Sequence, residues 1–367
     1  MEKESTSLLW CRLWSNRRGG EKVHRFNQMK PANNSLPGRG SSRKSSSGKE
    51  GIALITTLVV VALLVAVVVE FNRTAVAEIE ISKNFSEDKR ITHLAISSVN
   101  AIKDLLHLEG MGSKEDTLLE DWAKAQSLFE TAGGALQEGV LEGTIVDECG
   151  KINVNSLVNE KGQFDDVQQN LWERLLKQPR FGLSSDQIEA IVHGVKDWID
   201  KDDEVTGIFG AEDSFYRARG YGCRNGPFHT IEELLLIKGM TNEIFFGHGT
   251  REGICSYFTV FGKAEINVNT APVPVLMAFS EQMTEDLALE MDKFRRDETN
   301  KRALSNKTWY KTIWPYGELL PEKTMTVSSD AFSVHLKVTL GESVKEIRAV
   351  ISRASESEPS LLYWKEI

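Results

Sequence analysis

The residues with the clearest potential for chemistry are seven carboxylates in an acidic stretch between positions 197 and 213. They are Asp197, Asp200, Asp202, Asp203, Glu204, Glu212 and Asp213. Hard oxygen ligands in a flexible loop suit Ca²⁺, which takes about six to eight of them. The stretch is not an EF-hand, because Val205 occupies the position where that loop needs glycine. Two interpretations stay open at this point: a Ca²⁺ site, or a solvated acidic turn.

The remaining polar residues show no pattern of a catalytic site. The sequence contains no HExxH, GxSxG, Walker or GxGxxG motif, and its seven histidines are scattered. We therefore predict that the chain is not an enzyme.

The four cysteines do not form a recognisable site either. Cys11, Cys149, Cys223 and Cys255 lack the CxxC spacing of zinc and redox centres. If the body lies outside the cytoplasm, one disulfide and one free thiol are expected among the last three. Reduced cysteines are the alternative, and the pairing stays open.

The charge is distributed unevenly along the chain. The formal net charge is -9, but residues 1–51 carry eleven Lys or Arg and four Glu, so the remainder is near -16. Sequence-independent DNA binding needs a basic face that neutralises phosphates. An acidic body argues against that class of function.

An apolar segment follows the basic leader. Residues 52–69 pass without a charge, which as a helix is about 27 Å and close to the thickness of a bilayer core. Because Lys and Arg crowd the N-terminal side, the leader should lie in the cytoplasm and the body across the membrane. We predict a retained single-pass anchor; a removed secretory signal is the alternative.

The anchor should continue into the body as one helix. Neither glycine nor proline occurs between Gly51 and Gly110, and these residues disfavour helix most. The polar part of this helix keeps apolar residues at helical spacing, and the resulting stripe should pack against a sheet. The stripe consists of Ile91, Leu94, Ala95, Val99, Ile102 and Leu106.

The leader resembles the class III signal of type IV pilins and pseudopilins. It ends in Gly51 and is followed by the apolar start Ile52-Ala53-Leu54-Ile55. The resemblance implies cleavage after Gly51 by a prepilin peptidase, methylation of the new N-terminus, and Ile52 as mature residue 1. Most relatives carry glutamate at mature position 5, where this chain has Thr56. Whether the chain starts at Met1 or Met29 stays open.

The body contains an internal repeat. Ile-Asn-Val-Asn occurs at 152–155 and at 266–269, and each copy should lead from a strand into a helical unit. Ser184 with Gln187 and Thr230 with Glu233 predict capping boxes of two later helices. Near the C-terminus, 332–340 and 344–353 alternate as a hairpin, and 361–364 predict a third strand.

Three runs in the body resemble the protein K family of type II secretion. They are DWIDKDDEVTGIFGAEDSFY (197–216), NGPFHTIEELLLIKGMT (225–241) and INVNTAPVPVL (266–276). The resemblance implies an α+β, pilin-like fold with two inserted helical, sterile-alpha-motif-like (SAM-like) domains. It further implies a minor pseudopilin at the pseudopilus tip, in the bacterial inner membrane with its body in the periplasm. The loss of the position 5 glutamate is a feature of this family.

The resemblance also implies a ligand and partners. Protein K is a calcium-binding family, and the matching loop makes Asp200, Asp202, Glu204, Glu212 and Asp213 the expected Ca²⁺ ligands. The partners would be the I and J minor pseudopilins, the major pseudopilin, the inner-membrane platform and the prepilin peptidase.

The predicted organisation has seven segments. They are a cleaved leader (1–51), the membrane part of the helix (52–74), the pilin-like helix and first strands (75–155), a first helical domain (156–252), a pilin-like strand (253–270), a second helical domain (271–322) and the C-terminal strands (323–367).

A membrane-tethered DNA-binding protein is the alternative function. INVNTAP and EELLLIKGM resemble parts of helix-hairpin-helix modules in DNA-uptake receptors. Such hairpins present backbone amides to phosphate through glycine-rich turns. The turn at Lys238-Gly239-Met240-Thr241 lacks the second glycine and is flanked by Glu232, Glu233 and Glu243, so phosphate would be repelled.

Overall fold

The computed structural model describes residues 48–129, 139–315, 322–353 and 358–367. The predicted leader lies outside the described residues up to position 47. Contacts divide the chain into two units, which meet in the sequence between Arg90 and Ile91.

The elements are as follows in chain order. The strands are β1 (Gly139–Asp147), β2 (Ile152–Asn153), β3 (Gly247–His248), β4 (Arg251–Glu252), β5 (Phe258–Thr259), β6 (Ile266–Asn267), β7 (Met325–Thr326), β8 (Ala331–Leu340), β9 (Ser343–Ser352) and β10 (Ser360–Glu366). The α-helices are α1 (Gly48–Gly112), α2 (Asp166–Leu176), α3 (Ser185–Ile199), α4 (Asp213–Arg217), α5 (Asn242–Phe246), α6 (Val273–Ala278) and α7 (Glu285–Arg295). Residues 125–129 are also helical. Short 3₁₀ helices lie at Trp122–Lys124, Glu148–Gly150, Val154–Leu157, Ile231–Leu236, Ile254–Tyr257, Glu298–Ser305, Trp309–Thr312 and Glu322–Thr324.

Helix α1 contains the predicted anchor. Among the described residues, Ile52–Gly112 is the helix that is long and apolar enough to cross a membrane, and none of its apolar window is buried. Thr56 is satisfied inside the helix, where its hydroxyl donates to the Ile52 carbonyl oxygen at 2.8 Å. Such a local hydrogen bond lets a hydroxyl sit in an apolar helix without an outside partner.

A four-stranded antiparallel sheet, in the order β1-β8-β9-β10, packs against the C-terminal part of α1. The helix buries Ile91, Ala95, Val99, Ile102 and Leu106 against the sheet, while Leu94 packs at the margin. The predicted stripe is therefore confirmed. Each large aliphatic side chain buried in this way contributes about 1.5–3 kcal/mol, so the stripe fixes the helix on the sheet.

The C-terminal strands also confirm their predictions. β8 and β9 form a hairpin closed at Gly341, whose φ is +60°, a conformation that glycine adopts without strain. β10 adds the predicted third strand beside β9. Because β1 pairs with β8, all residues from 148 to 330 are an insertion between two neighbouring strands.

Both copies of Ile-Asn-Val-Asn perform the same structural task. β2, in the first copy, pairs in parallel with β5, and β6, in the second copy, pairs in parallel with β7. The first asparagine of each copy accepts a backbone N–H two residues on, at 2.9 Å in both cases. Each motif therefore opens a helical segment and is tied to the strand that closes it.

The segment 253–270 differs from its prediction as a strand of the pilin-like sheet. It forms β5 and β6, each two residues long, in separate ladders. The asparagine after Ile266 caps the following turn with its side chain, so the backbone leaves the extended conformation after two residues. From the described residues between β1 and β8, the sheet consequently receives no strand.

The first predicted capping box is confirmed, and the second opens a 3₁₀ helix where an α-helix was predicted. Ser184 and Gln187 exchange both hydrogen bonds at the start of α3. Thr230 donates its N–H to Glu233 Oε1 at 3.1 Å, but the segment that follows, Ile231–Leu236, is 3₁₀ rather than α-helical. Gly239 has φ +89° and supplies the expected left-handed turn shortly after it.

The two helical segments share one hydrophobic core. The Gln178 side chain in the first segment donates to the Pro274 carbonyl oxygen in the second at 2.7 Å. Arg180 reaches Glu285 at 2.9 Å. The chain therefore packs its two insertions together, whereas their assignment to the SAM-like class stays a prediction.

The expectation of a disulfide within the body is not met. Cys149 and Cys223 are free thiols, so no disulfide joins two of the three body cysteines. The Cys149 thiol is buried and lies 3.2 Å from Asp330 Oδ1, and the Cys223 thiol donates to the Asp197 carbonyl oxygen at 3.3 Å. Each of these thiols has its own polar neighbour.

Candidate metal site

The end of α3 and the start of α4 bring three carboxylates together. Asp197 lies in the last turn of α3, Asp200 caps that helix, and Glu212 is the N-cap of α4. One carboxylate oxygen from each residue can be chosen so that all three oxygens lie within 4.8 Å of one another, and all three residues are buried. We call these three residues the carboxylate cluster. Two of its members face the negative end of a helix dipole, which makes a nearby positive charge favourable.

Asp197 organises the loop between the two helices. Its carboxylate accepts the backbone N–H of Thr206 at 3.1 Å and that of Ala211 at 2.7 Å. A Cβ atom at Gly210 would lie 2.2 Å from Asp197 Oδ2 and 2.5 Å from the Thr206 carbonyl oxygen. Only glycine therefore fits at this position, because real Cβ contacts do not come so close.

Asp200 and Glu212 hold oxygens that have no hydrogen-bond partner. These are Asp200 Oδ1 and both carboxylate oxygens of Glu212, among the residues that the structure describes. Each of the two residues is 2% exposed. A buried carboxylate without a partner is strongly unfavourable, so these oxygens indicate that the cluster takes a cation or a proton.

The electrostatics of the cluster agree with its burial. Burial, together with the neighbouring Asp197 and Asp200 carboxylates, raises the pKa of Glu212 to about 8. Burial also raises the pKa of Asp200, although the Lys196 ammonium opposes this shift. A divalent cation would replace the proton and satisfy the unpartnered oxygens. The residues present therefore fit Ca²⁺, which prefers carboxylate oxygen ligands.

The structure brings together two of the five predicted ligands, Asp200 and Glu212. Asp202 Oδ1 accepts the backbone N–H of Glu204 at 2.9 Å, and both residues are exposed. Asp213 forms an ion pair with Arg217 and accepts the backbone N–H of Cys223. These three carboxylates lie outside the cluster.

Asp197 joins the cluster although the predicted ligand set did not include it. The signal that could have found it is its spacing of three residues from Asp200, which places two carboxylates on one face of a helix end.

The turn that suggested DNA binding, residues 238–241, makes contacts within the protein itself. Lys238 donates from Nζ to the Gly210 carbonyl oxygen at 2.9 Å, and it also lies over the Phe215 ring. Glu233 pairs with Arg224. Lys238 is thus used to hold the loop after α3.

Comparisons with known proteins decide the family. The model of type II secretion system protein K matches residues 150–246. The type II secretion system protein K of Pseudomonas aeruginosa is 30% identical over 244 residues, which are 64% of this chain and 69% of that protein. The chain belongs to the type II secretion system protein K family. The protein K of Aeromonas hydrophila is 22% identical over 340 residues, covering 85% of this chain and 95% of the relative.

A solved structure agrees with the fold. In the crystal structure of the GspK-GspI-GspJ complex from enterotoxigenic Escherichia coli, a chain with 18% identity aligns with a TM-score of 0.57. The alignment covers 78% of this chain and 99% of that one. The predicted α+β fold, with a long N-terminal helix on an antiparallel sheet, is confirmed. The family makes the chain a minor pseudopilin of type II secretion, and the DNA-binding alternative is not favoured.

Proposed function

We propose that the chain caps the tip of the type II secretion pseudopilus. The observation that carries the proposal is the large insertion, residues 148–330, between two neighbouring strands of a pilin-like helix and sheet. A subunit that carries such bulk would obstruct the stacking of further copies on it, so it suits a terminal position. Its role is assembly, and no bond is made or broken by this chain.

The anchor supports a position in the inner membrane with the body in the periplasm. Residues 52–69 of α1 are exposed along their whole length, as a helix that packs laterally in a bilayer requires. We propose cleavage after Gly51 and methylation at Ile52. Thr56 replaces the usual glutamate with a hydroxyl bonded inside its own helix, so this subunit lacks one charged contact to a neighbour's N-terminus.

The partners follow from the position at the tip. The E. coli chain with the similar fold forms a complex with GspI and GspJ. We propose that I and J minor pseudopilins bind this chain, with the major pseudopilin below them and the inner-membrane platform and the prepilin peptidase acting during assembly. The helical segments 156–252 and 271–322 would be SAM-like domains.

We further propose that Ca²⁺ binds the carboxylate cluster and stiffens the first insertion. Asp200 and Glu212 would supply the unpartnered oxygens described above. Asp197 would contribute the third carboxylate while it keeps the loop folded through Thr206 and Ala211. Asp202, Glu204 and Asp213 stay predicted ligands that the loop would have to move towards the ion.

Co-purification tests the tip assignment. The full chain is expressed in its native membrane with the I and J minor pseudopilins and the peptidase, and is then extracted in detergent. A complex that contains the three proteins in equal amounts, and in which this chain begins at Ile52 by intact mass, is the expected result. Several copies of this chain along one pseudopilus, or a mature chain that retains residues 29–51, would contradict the proposal.

A further inference from the structure

Lys196 contacts the carboxylate cluster at Asp200. Its Nζ is 2.5 Å from Asp200 Oδ2 and 2.9 Å from Thr206 Oγ1. The ammonium also lies 5.8 Å from the centre of the Phe164 ring. The side chain is 14% exposed, and that of Asp200 is fully buried. This lysine is therefore held on several sides and is not a mobile surface charge.

The ammonium supplies one positive charge to a site that holds three carboxylates. Asp200 Oδ2 has this cation as its partner, while Asp200 Oδ1 and the two Glu212 oxygens have none among the described residues. The Lys196 ammonium can thus neutralise one of the three carboxylates, so the cluster keeps an excess of negative charge. A divalent cation at the unpartnered oxygens would share Asp200 with the ammonium.

Two cations at one carboxylate repel each other. At about 4 Å, two unit charges in partly buried surroundings interact by several times the thermal energy. Ca²⁺ must therefore either displace the Lys196 ammonium from Asp200 or bind in spite of its electrostatic repulsion. In the absence of metal, the same ammonium stabilises the buried Asp200 and holds Thr206, so the loop stays folded.

We propose that Lys196 is a built-in competitor of Ca²⁺ that sets the affinity of the carboxylate cluster and preserves its fold when the metal is absent. This inference rests on the proposed Ca²⁺ site and concerns its regulation. The site would then release and rebind Ca²⁺ as the free concentration changes, in contrast to a site whose fold depends on permanent metal.

Titration of the full chain in detergent with CaCl₂ by calorimetry tests the inference. Lys196→Met removes the charge and keeps an apolar stem of similar length. It is expected to lower the Kd for Ca²⁺ by about tenfold or more, because one repulsive charge is removed. In chelator its Tm should fall below that of the wild type, and the rise in Tm on addition of Ca²⁺ should be larger.

Matched variants separate the charge from other effects. Lys196→Arg keeps the charge, and Lys201→Met removes an exposed charge a few residues away; both should change the Kd by less than about threefold. Should Lys196→Met not fold, Thr206→Val removes the hydroxyl that holds the ammonium, and it should lower the Kd in the same direction by a smaller factor.

The outcomes distinguish this inference from the Ca²⁺ proposal on which it rests. If the wild type binds Ca²⁺, Glu212→Gln does not, and Lys196→Met binds no more tightly than the wild type, then the competitor role is wrong and the site stands. If neither the wild type nor Lys196→Met binds Ca²⁺, both proposals are wrong. A lower Kd for Lys196→Met, without a similar decrease for Lys196→Arg or Lys201→Met, supports the inference.

Discussion

The Thr270 hydroxyl donates to Asp147 Oδ2 at 2.5 Å, and this bond joins the residue directly after the second Ile-Asn-Val-Asn copy to the end of β1. Asp147 also accepts from the Ser329 hydroxyl and the Asn267 amide. A fourth donor is the backbone N–H of Cys149. One buried carboxylate therefore connects the sheet to the base of the second insertion.

The stability of the protein should depend on pH through Asp147. Burial raises the pKa of Asp147 to about 7 from an ordinary value of 3.8. A carboxyl whose pKa is raised on folding contributes most when it is protonated, so stability should fall as pH rises from about 4 through 7. Asp147→Asn should weaken this dependence by on the order of 2 kcal/mol between pH 5 and pH 8.

Thermal unfolding of the full chain in detergent at several pH values measures the effect. Glu142→Gln, an exposed carboxylate on the same strand, is the control and should leave the pH dependence unchanged. An Asp147→Asn variant whose Tm falls with pH as steeply as that of the wild type would show that another group is responsible.

Ca²⁺ should raise the Tm of the wild type, because a ligand that binds only the folded state stabilises it. Glu212→Gln removes the charge of the residue with two unpartnered oxygens and should abolish most of this increase. Glu204→Gln changes a predicted ligand that is exposed and lies outside the carboxylate cluster. It tests whether the carboxylates outside the cluster contribute to this increase. Differential scanning fluorimetry in CaCl₂ and in chelator gives the values. A wild type without any shift would mean that the cluster holds a proton and no metal.

Gly210→Ala should destabilise the first insertion. The added Cβ would lie 2.2 Å from Asp197 Oδ2, so the carboxylate that organises the loop must move. Overpacking of this kind typically costs about 1–3 kcal/mol. Gly226→Ala is the matched control, because its nearest neighbour would lie at an ordinary 3.8 Å. Chemical unfolding compares the two variants, and an equal effect of both would contradict the proposed role of Gly210.

The packing of α1 on the sheet can be tested with two leucines on the same helix. Leu106 is fully buried, whereas Leu108 is 67% exposed. Leu106→Ala should lower the free energy of unfolding by about 2–5 kcal/mol, because it leaves a cavity under the helix. Leu108→Ala should change it by less than about 0.5 kcal/mol. Urea unfolding of both variants checks this difference, which would vanish if the helix did not pack as described.

Sequence patterns were sufficient to predict the structure where the interacting residues lie close together in the sequence. The capping box of Ser184 and Gln187, the alternation of β8 and β9 and the apolar stripe of α1 are all written in residues a few positions apart. The 3₁₀ geometry after Thr230 was not predictable in this way, because the same cap suits both kinds of helix and packing selects between them.

The sequence by itself determined the long apolar helix and its continuation into the body, the C-terminal hairpin and the family, because hydrophobic periodicity and specific runs of residues can be recognised without knowledge of the fold. The tertiary structure alone decided which carboxylates meet. Asp197 joins Asp200 and Glu212 because a loop of the right length folds back over the end of α3, while Asp202, Glu204 and Asp213 turn to backbone amides, solvent or arginine. The same holds for Lys196, whose charge matters only because the fold places it 2.5 Å from a buried Asp200.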